Sequence, residues 1–103
     1  MRRSRDWNEG LARDLRDQAF AREFLEALLE EGFSLQQALA KTVRAYGVTE
    51  FASKVHMASP NLLRSIRPNA NPTQRTLEQM LEPLGLRLAV APKSRRRARR
   101  SAA

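Results

Sequence analysis

Apolar residues recur with helical spacing along most of the chain. Leu11 and Leu15 sit one turn apart, and Phe20, Phe24, Leu25, Leu28 and Leu29 then share one stripe of a helix. Trp7 to Gly32 therefore reads as helix in two pieces, with Asp17 capping the second and Gly32 stopping it. Leu35, Ala38, Leu39, Thr42, Val43 and Tyr46 form the inner face of a third helix. Ser34 and Gln37 have the spacing of a capping box at its start, and Gly47 ends it. Thr49 caps a short helix from Glu50 with Phe51, Ala52 and Val55 inward. After a break at His56-Met57-Ala58, Ser59-Pro60 opens a second short helix holding Leu62, Leu63 and Ile66. Residues 67–72, with two Pro and two Asn, set a loop. Thr73 caps a last helix carrying Leu77, Met80 and Leu81, and Pro83 stops it near Glu82. Residues 86–91 alternate with period two, which is a strand pattern; its backbone groups would need a partner. The expected fold is all-α, with about five helices and a short C-terminal β-strand.

Charge changes this picture by dividing it. The chain has 103 residues, the size of one domain, with 19 basic and 11 acidic side chains. Three Arg lie in residues 1–5, and six basic residues lie in 93–100. Residues 1–6 are thus expected as a basic flexible arm, 7–92 as a single domain and 93–103 as a disordered Arg-rich tail. The domain divides into N-terminal helices (7–32), further helices (34–83) and the strand (86–91). Within it, residues 6–35 carry three basic and eight acidic residues, while 36–92 carry seven and three. Two surfaces of opposite sign suggest two different partners, although solvated faces of this kind are common.

Several chemistries are excluded or disfavoured. There is no Cys and only one His, His56, so disulfides, thiolate metal sites and paired-His metal sites have no ligands. No Gly-rich phosphate loop and no paired acids in a predicted pocket support catalysis. No catalytic residue, metal, cofactor or small-molecule substrate is therefore expected. No apolar run is long enough for a membrane helix, and the basic N-terminus lacks the apolar stretch of a secretory signal, so the cytoplasm is the default compartment.

The two short helices, at about 50–56 and 60–66, have the plan of a helix-turn-helix. In that plan the first helix braces the second, whose exposed side chains meet base edges in the major groove. The base-contact candidates are Ser59, Asn61, Arg64 and Arg67, because Arg pairs bidentately with guanine, Asn with adenine, and Ser with bases or phosphates. Thr49, Lys54, Asn71 and Thr73 are phosphate candidates, as are Arg95, Arg96 and Arg97 in the tail; Lys41 is a weaker one. His56 reads as a turn residue and Trp7 as packing.

Residues 49–73 resemble the Cro/lambda-repressor-type helix-turn-helix. More of the chain, about 11–91, resembles the antidote proteins of type II toxin–antitoxin modules: the host-inhibition-of-growth antitoxins and related addiction-module antidotes. The resemblance lies in Phe24-Leu25-Glu26-Ala27-Leu28-Leu29-Glu30-Glu31-Gly32, Asn61-Leu62-Leu63-Arg64, Asn71-Pro72-Thr73 and Leu84-Gly85-Leu86-Arg87-Leu88, in that order. His56 stands where the family has Gly, and the family's Ser or Thr cap falls at Ala58. Either Ser59 caps and the helix starts one residue late, or the cap is missing. The resemblance implies a sequence-specific DNA-binding antitoxin that represses its own operon and neutralises a RelE-like toxin. It implies a homodimer on double-stranded operator DNA. The acidic residues 6–35 would face the toxin, and strand 86–91 could add to a second copy or to the toxin. The alternatives are a stand-alone or prophage repressor without a toxin, and a protein-sequestering interaction module.

Overall fold

The computed structural model describes residues 2–93. These form α1 (Arg2–Asp14), α2 (Gln18–Glu30), α3 (Leu35–Tyr46), α4 (Val48–Lys54), α5 (Ser59–Ser65) and α6 (Gln74–Leu81), followed by a 3-10 turn at Glu82–Leu84. Helix α1 begins at Arg2, ahead of the start expected at Trp7 and within the stretch read as an arm. The tail from Ser94 lies outside the described residues.

Helix α3 is the centre of the packing. Ala38, Leu39, Thr42, Val43 and Tyr46 are buried on it, and α1, α2 and α4 all pack against it. Helix α5 packs on α4, and the 3-10 turn after α6 packs back on α2. Phe51, Leu62, Met80 and Leu84 complete a single core with Leu15 and Leu25. The Phe51 ring meets Tyr46 edge-on, with centroids 5.2 Å apart, a favoured aromatic geometry.

The ends of these helices follow local chemistry. Both halves of the capping box at Ser34 and Gln37 are present. The Thr73 hydroxyl accepts from the Thr76 amide at 3.1 Å. At the end of α2, the Gly32 amide donates to the Leu29 carbonyl and the Phe33 amide to the Leu28 carbonyl, a Schellman ending. The same pair of bonds recurs at Gly85, where the amides of Gly85 and Leu86 reach the carbonyls of Glu82 and Leu81.

Two expectations are corrected. Thr49 does not cap α4. Gly47 ends α3 and also precedes the first residue of α4, so no separate cap fits between them. Thr49 lies in the first turn instead. The C-terminal β-strand is not formed: no strand occurs among the described residues, and the fold class is all-α with six helices. The alternation has another cause. Leu86 and Leu88 lie half-buried against the core while Arg87 and Ala89 are exposed, and Val90 is 99% exposed where the segment leaves the core. One-sided burial of an extended segment produces the same period as a sheet, without a partner backbone.

Gly47 has the closest surroundings of the four glycines. Its φ is +112°, and a Cβ there would meet the Glu50 carboxylate. Gly47→Ala is expected to cost about 1–3 kcal/mol, mainly as backbone strain. Urea unfolding should show a lower midpoint with an unchanged slope; an unchanged midpoint would mean that the backbone relaxes away from this conformation.

Candidate functional site

The α4–α5 connection sets the geometry of the exposed surface. Helix α4 ends at Lys54, and the chain turns through Val55, His56, Met57 and Ala58 before α5 starts. His56 has φ +59° and is the only non-Gly residue with positive φ among those described. Its amide donates to the Ser53 carbonyl at 3.2 Å, and the Met57 amide donates to the Ala52 carbonyl at 2.9 Å. This is a third Schellman ending, with His where the other two have Gly. Left-handed geometry is uncommon for non-Gly residues, though His is among the more tolerant. The Val55 carbonyl receives the Gln79 amide of α6 at 2.7 Å, so α6 pins the turn from behind. On the other side, the Gln36 amide of α3 donates to the Arg67 carbonyl just past α5. Buried Leu62 and Ile66 hold α5 against the core between these two anchors.

The start of α5 resolves the two alternatives left by the sequence. Ala58 occupies the capping position with no side-chain bond, Ser59 is the first helical residue, and Pro60 lies in the first turn. Ser59 is half-buried, whereas Asn61, Arg64 and Arg67 are exposed. An Arg64 guanidinium nitrogen donates to Asn61 Oδ1 at 3.0 Å, which holds the two side chains together one turn apart.

Four of the expected site residues share one surface. Asn61 and Arg64 of α5 face Asn71 and Thr73 of the following loop across an open groove of about 500 Å³, whose floor includes Met57, Thr76 and Gln79. The groove holds one cation among amides and hydroxyls, so it can offer directional hydrogen bonds more than charge. The Thr73 hydroxyl is partly committed to capping α6. Arg67 lies elsewhere, in a second groove of about 370 Å³ with Lys41 and Arg44 of α3. Lys54 lines a smaller notch beside His56 and Glu82, away from Asn61 and Arg64. Thr49 is exposed on α4 and lines none of these three grooves. Arg95, Arg96 and Arg97 lie outside the described residues.

Sequence reasoning missed Gln79, Gln36 and Arg44. The two glutamines act on carbonyls distant in sequence, and no local pattern marks such partners. Arg44 had a signal: it stands three residues after Lys41 and shares its helix face.

A third surface belongs to the N-terminal helices. Trp7 is 66% exposed, against the packing role expected of it. With Gly10, Leu11, Asp14 and Phe20 it lines a notch of about 300 Å³ on the acidic half of the chain. Arg16, between α1 and α2, is held in place by contacts with neutral groups. Its guanidinium donates to the Ala12 and Tyr46 carbonyls and lies 4.2 Å from the Tyr46 ring centroid. No described helix is long and apolar enough to cross a membrane.

Together these features define a small helical protein that presents a polar groove, a basic groove and a separate N-terminal notch with an exposed tryptophan, around one short, firmly anchored helix. The chain belongs to the family of probable addiction module antidote proteins, whose model matches residues 8–92. An antidote family implies a toxin partner. No curated protein and no solved structure gives a significant match.

The left-handed His56 yields a prediction. Left-handed geometry costs an L-residue roughly 1–2 kcal/mol, part of which glycine's greater unfolded-state freedom cancels. His56→Gly should therefore stabilise the fold by up to about 1 kcal/mol, raising Tm by roughly 4–8 °C per kcal/mol gained. A lower Tm would show that the imidazole makes a contact worth more than the strain.

Proposed function

We propose that this antidote is a sequence-specific DNA-binding antitoxin that represses its own operon. In this reading α4 and α5 act as a helix-turn-helix, α5 enters the major groove, and Asn61 and Arg64 contact bases. The observation that carries it is the grouping of Asn61, Arg64, Asn71 and Thr73 along one exposed edge of α5, with its backbone pinned at Val55 and Arg67. Base discrimination needs donors and acceptors held in fixed positions, and both anchors supply rigidity. Asn71 and Thr73 flank that edge as phosphate contacts. A homodimer would place two copies of α5 about one DNA turn, roughly 34 Å, apart. The protein acts by binding and carries out no catalysis, and its setting is the cytoplasm.

The toxin is proposed to be RelE-like and to dock on α1 and α2. A ribonuclease that handles a polyanion needs a basic surface; residues 6–35 carry eight acidic against three basic side chains, with Trp7 exposed among them. Trp7, Leu11 and Phe20 give that surface an apolar centre. The DNA and toxin surfaces then draw on different helices, so both partners could be held together.

Fluorescence anisotropy against the DNA upstream of the gene and a scrambled duplex tests the first half. Preference for the upstream duplex should persist at higher salt, and Arg64→Ala should reduce that preference by about 1–3 kcal/mol. Equal binding to both duplexes, lost with salt, would count against sequence reading. For the second half, Trp7→Ala should weaken binding to the protein product of a neighbouring toxin gene while leaving the operator titration unchanged. Retained toxin affinity would move the docking surface away from α1.

A further inference from the structure

We propose that Lys41, Arg44 and Arg67 form a phosphate-binding groove that grips the DNA backbone beyond the C-terminal end of α5, separate from the Asn61–Arg64 groove. This rests on the DNA-binding reading given above. Two grooves of different chemistry meet this part of the chain. Asn61, Arg64 and Ser65 of α5 border one, and Ile66, Arg67 and Pro68, just past the end of α5, border the other. With its side chains a helix is about 10–12 Å across, and the major groove is about 12 Å wide. A helix that fills that groove brings whatever flanks it against the phosphate walls.

The basic groove suits such a wall. Among the described residues, three cations line it and no Asp or Glu does. Lys41 Nζ sits 4.8 Å from the Phe33 ring centroid, so the ammonium is positioned by an aromatic face and its charge is left for an anion. The Gln36 amide on the Arg67 carbonyl ties the α5 side of the groove to the α3 side. Half-buried Phe33 and Ala40 and buried Ile66 make an apolar floor, which limits solvation of a phosphate lying over it. Labour is thereby divided. In the groove with one cation Asn61 and Arg64 read bases, and the groove with three cations holds the backbone. Arg67 moves from a base-contact role to a phosphate role.

The test is a salt titration of the full chain and of two variants, on the upstream and scrambled duplexes. Each neutralised phosphate contributes about 0.9 to the log–log salt slope, so Lys41→Gln/Arg44→Gln should lower its magnitude by about 1.8. The double variant should weaken both duplexes by the same factor, leaving their ratio unchanged. Asn61→Ala, which removes no charge, should shrink the ratio and leave the slope as it was. Both changed side chains of the double variant are exposed, and an unaltered circular-dichroism melt would confirm that its fold is intact. A parent that prefers the upstream duplex, with an unchanged slope in the double variant, overturns the groove and spares the DNA-binding reading. A parent that binds both duplexes equally, with a reduced slope in the variant, supports the groove and overturns sequence-specific repression. A parent that binds neither overturns both.

Discussion

Burial of one face of α3 is the constraint on which the rest depends. Ala38, Leu39, Thr42 and Val43 have no solvent exposure at all. A helix cannot dry such a face alone. It needs cover from several directions, which α1, α2 and α4 provide. The Thr42 hydroxyl in that face is satisfied internally, since it donates to the Ala38 carbonyl at 2.8 Å. With α3 enclosed, α4 lies where it can support α5, and α5 is left with one face toward solvent. The exposed surface is therefore a by-product of how the core closes.

Side chains acting on distant backbone carbonyls make that arrangement firm. Gln79 holds Val55, Gln36 holds Arg67, Gln18 donates to the Pro83 carbonyl at 3.0 Å, and Arg16 donates to the Tyr46 carbonyl. Each bond lands where a helix ends and carbonyls lack intrahelical partners. A single hydrogen bond of this kind is worth only about 0.5–1.5 kcal/mol net. Its effect here is on position: two of the four bracket α5, and the other two tie the N-terminal helices to the rest of the chain.

Charge is divided along the chain more cleanly than it is divided between helices. Residues 6–35 carry eight acidic and three basic side chains, but α1 begins at Arg2 and so also holds Arg2, Arg3 and Arg5. The clearest local contrast is between the groove of Lys41, Arg44 and Arg67, which no Asp or Glu lines among the described residues, and the notch of Trp7, Leu11, Asp14 and Phe20. Tertiary packing creates the first by bringing α3 against the residues that follow α5.

Much of this was legible in the sequence because local rules set it. The stripe from Phe20 to Leu29, the capping box at Ser34, the cap at Thr73 and the stops at Gly32, Gly47 and Pro83 depend on neighbours within a few residues, and each is found. The family resemblance also held, because it rests on the order of such local pieces. Other features required the folded chain. Leu86 and Leu88 alternate like a strand, yet pairing is a property of two backbones, and only the tertiary structure shows helices beneath them instead. Gly47 ends α3 and opens α4 at once, which displaced Thr49 from the capping role. Asn61, Arg64, Asn71 and Thr73 were named from residue chemistry, but their meeting in one groove, and the departure of Arg67 to another, follow from the turn of the loop. By itself the sequence determined the helical stripes, the caps at Ser34 and Thr73 and the sign of each half of the chain, all short-range properties. Only the tertiary structure decided which side chains share a surface, because that depends on contacts between residues far apart along the chain.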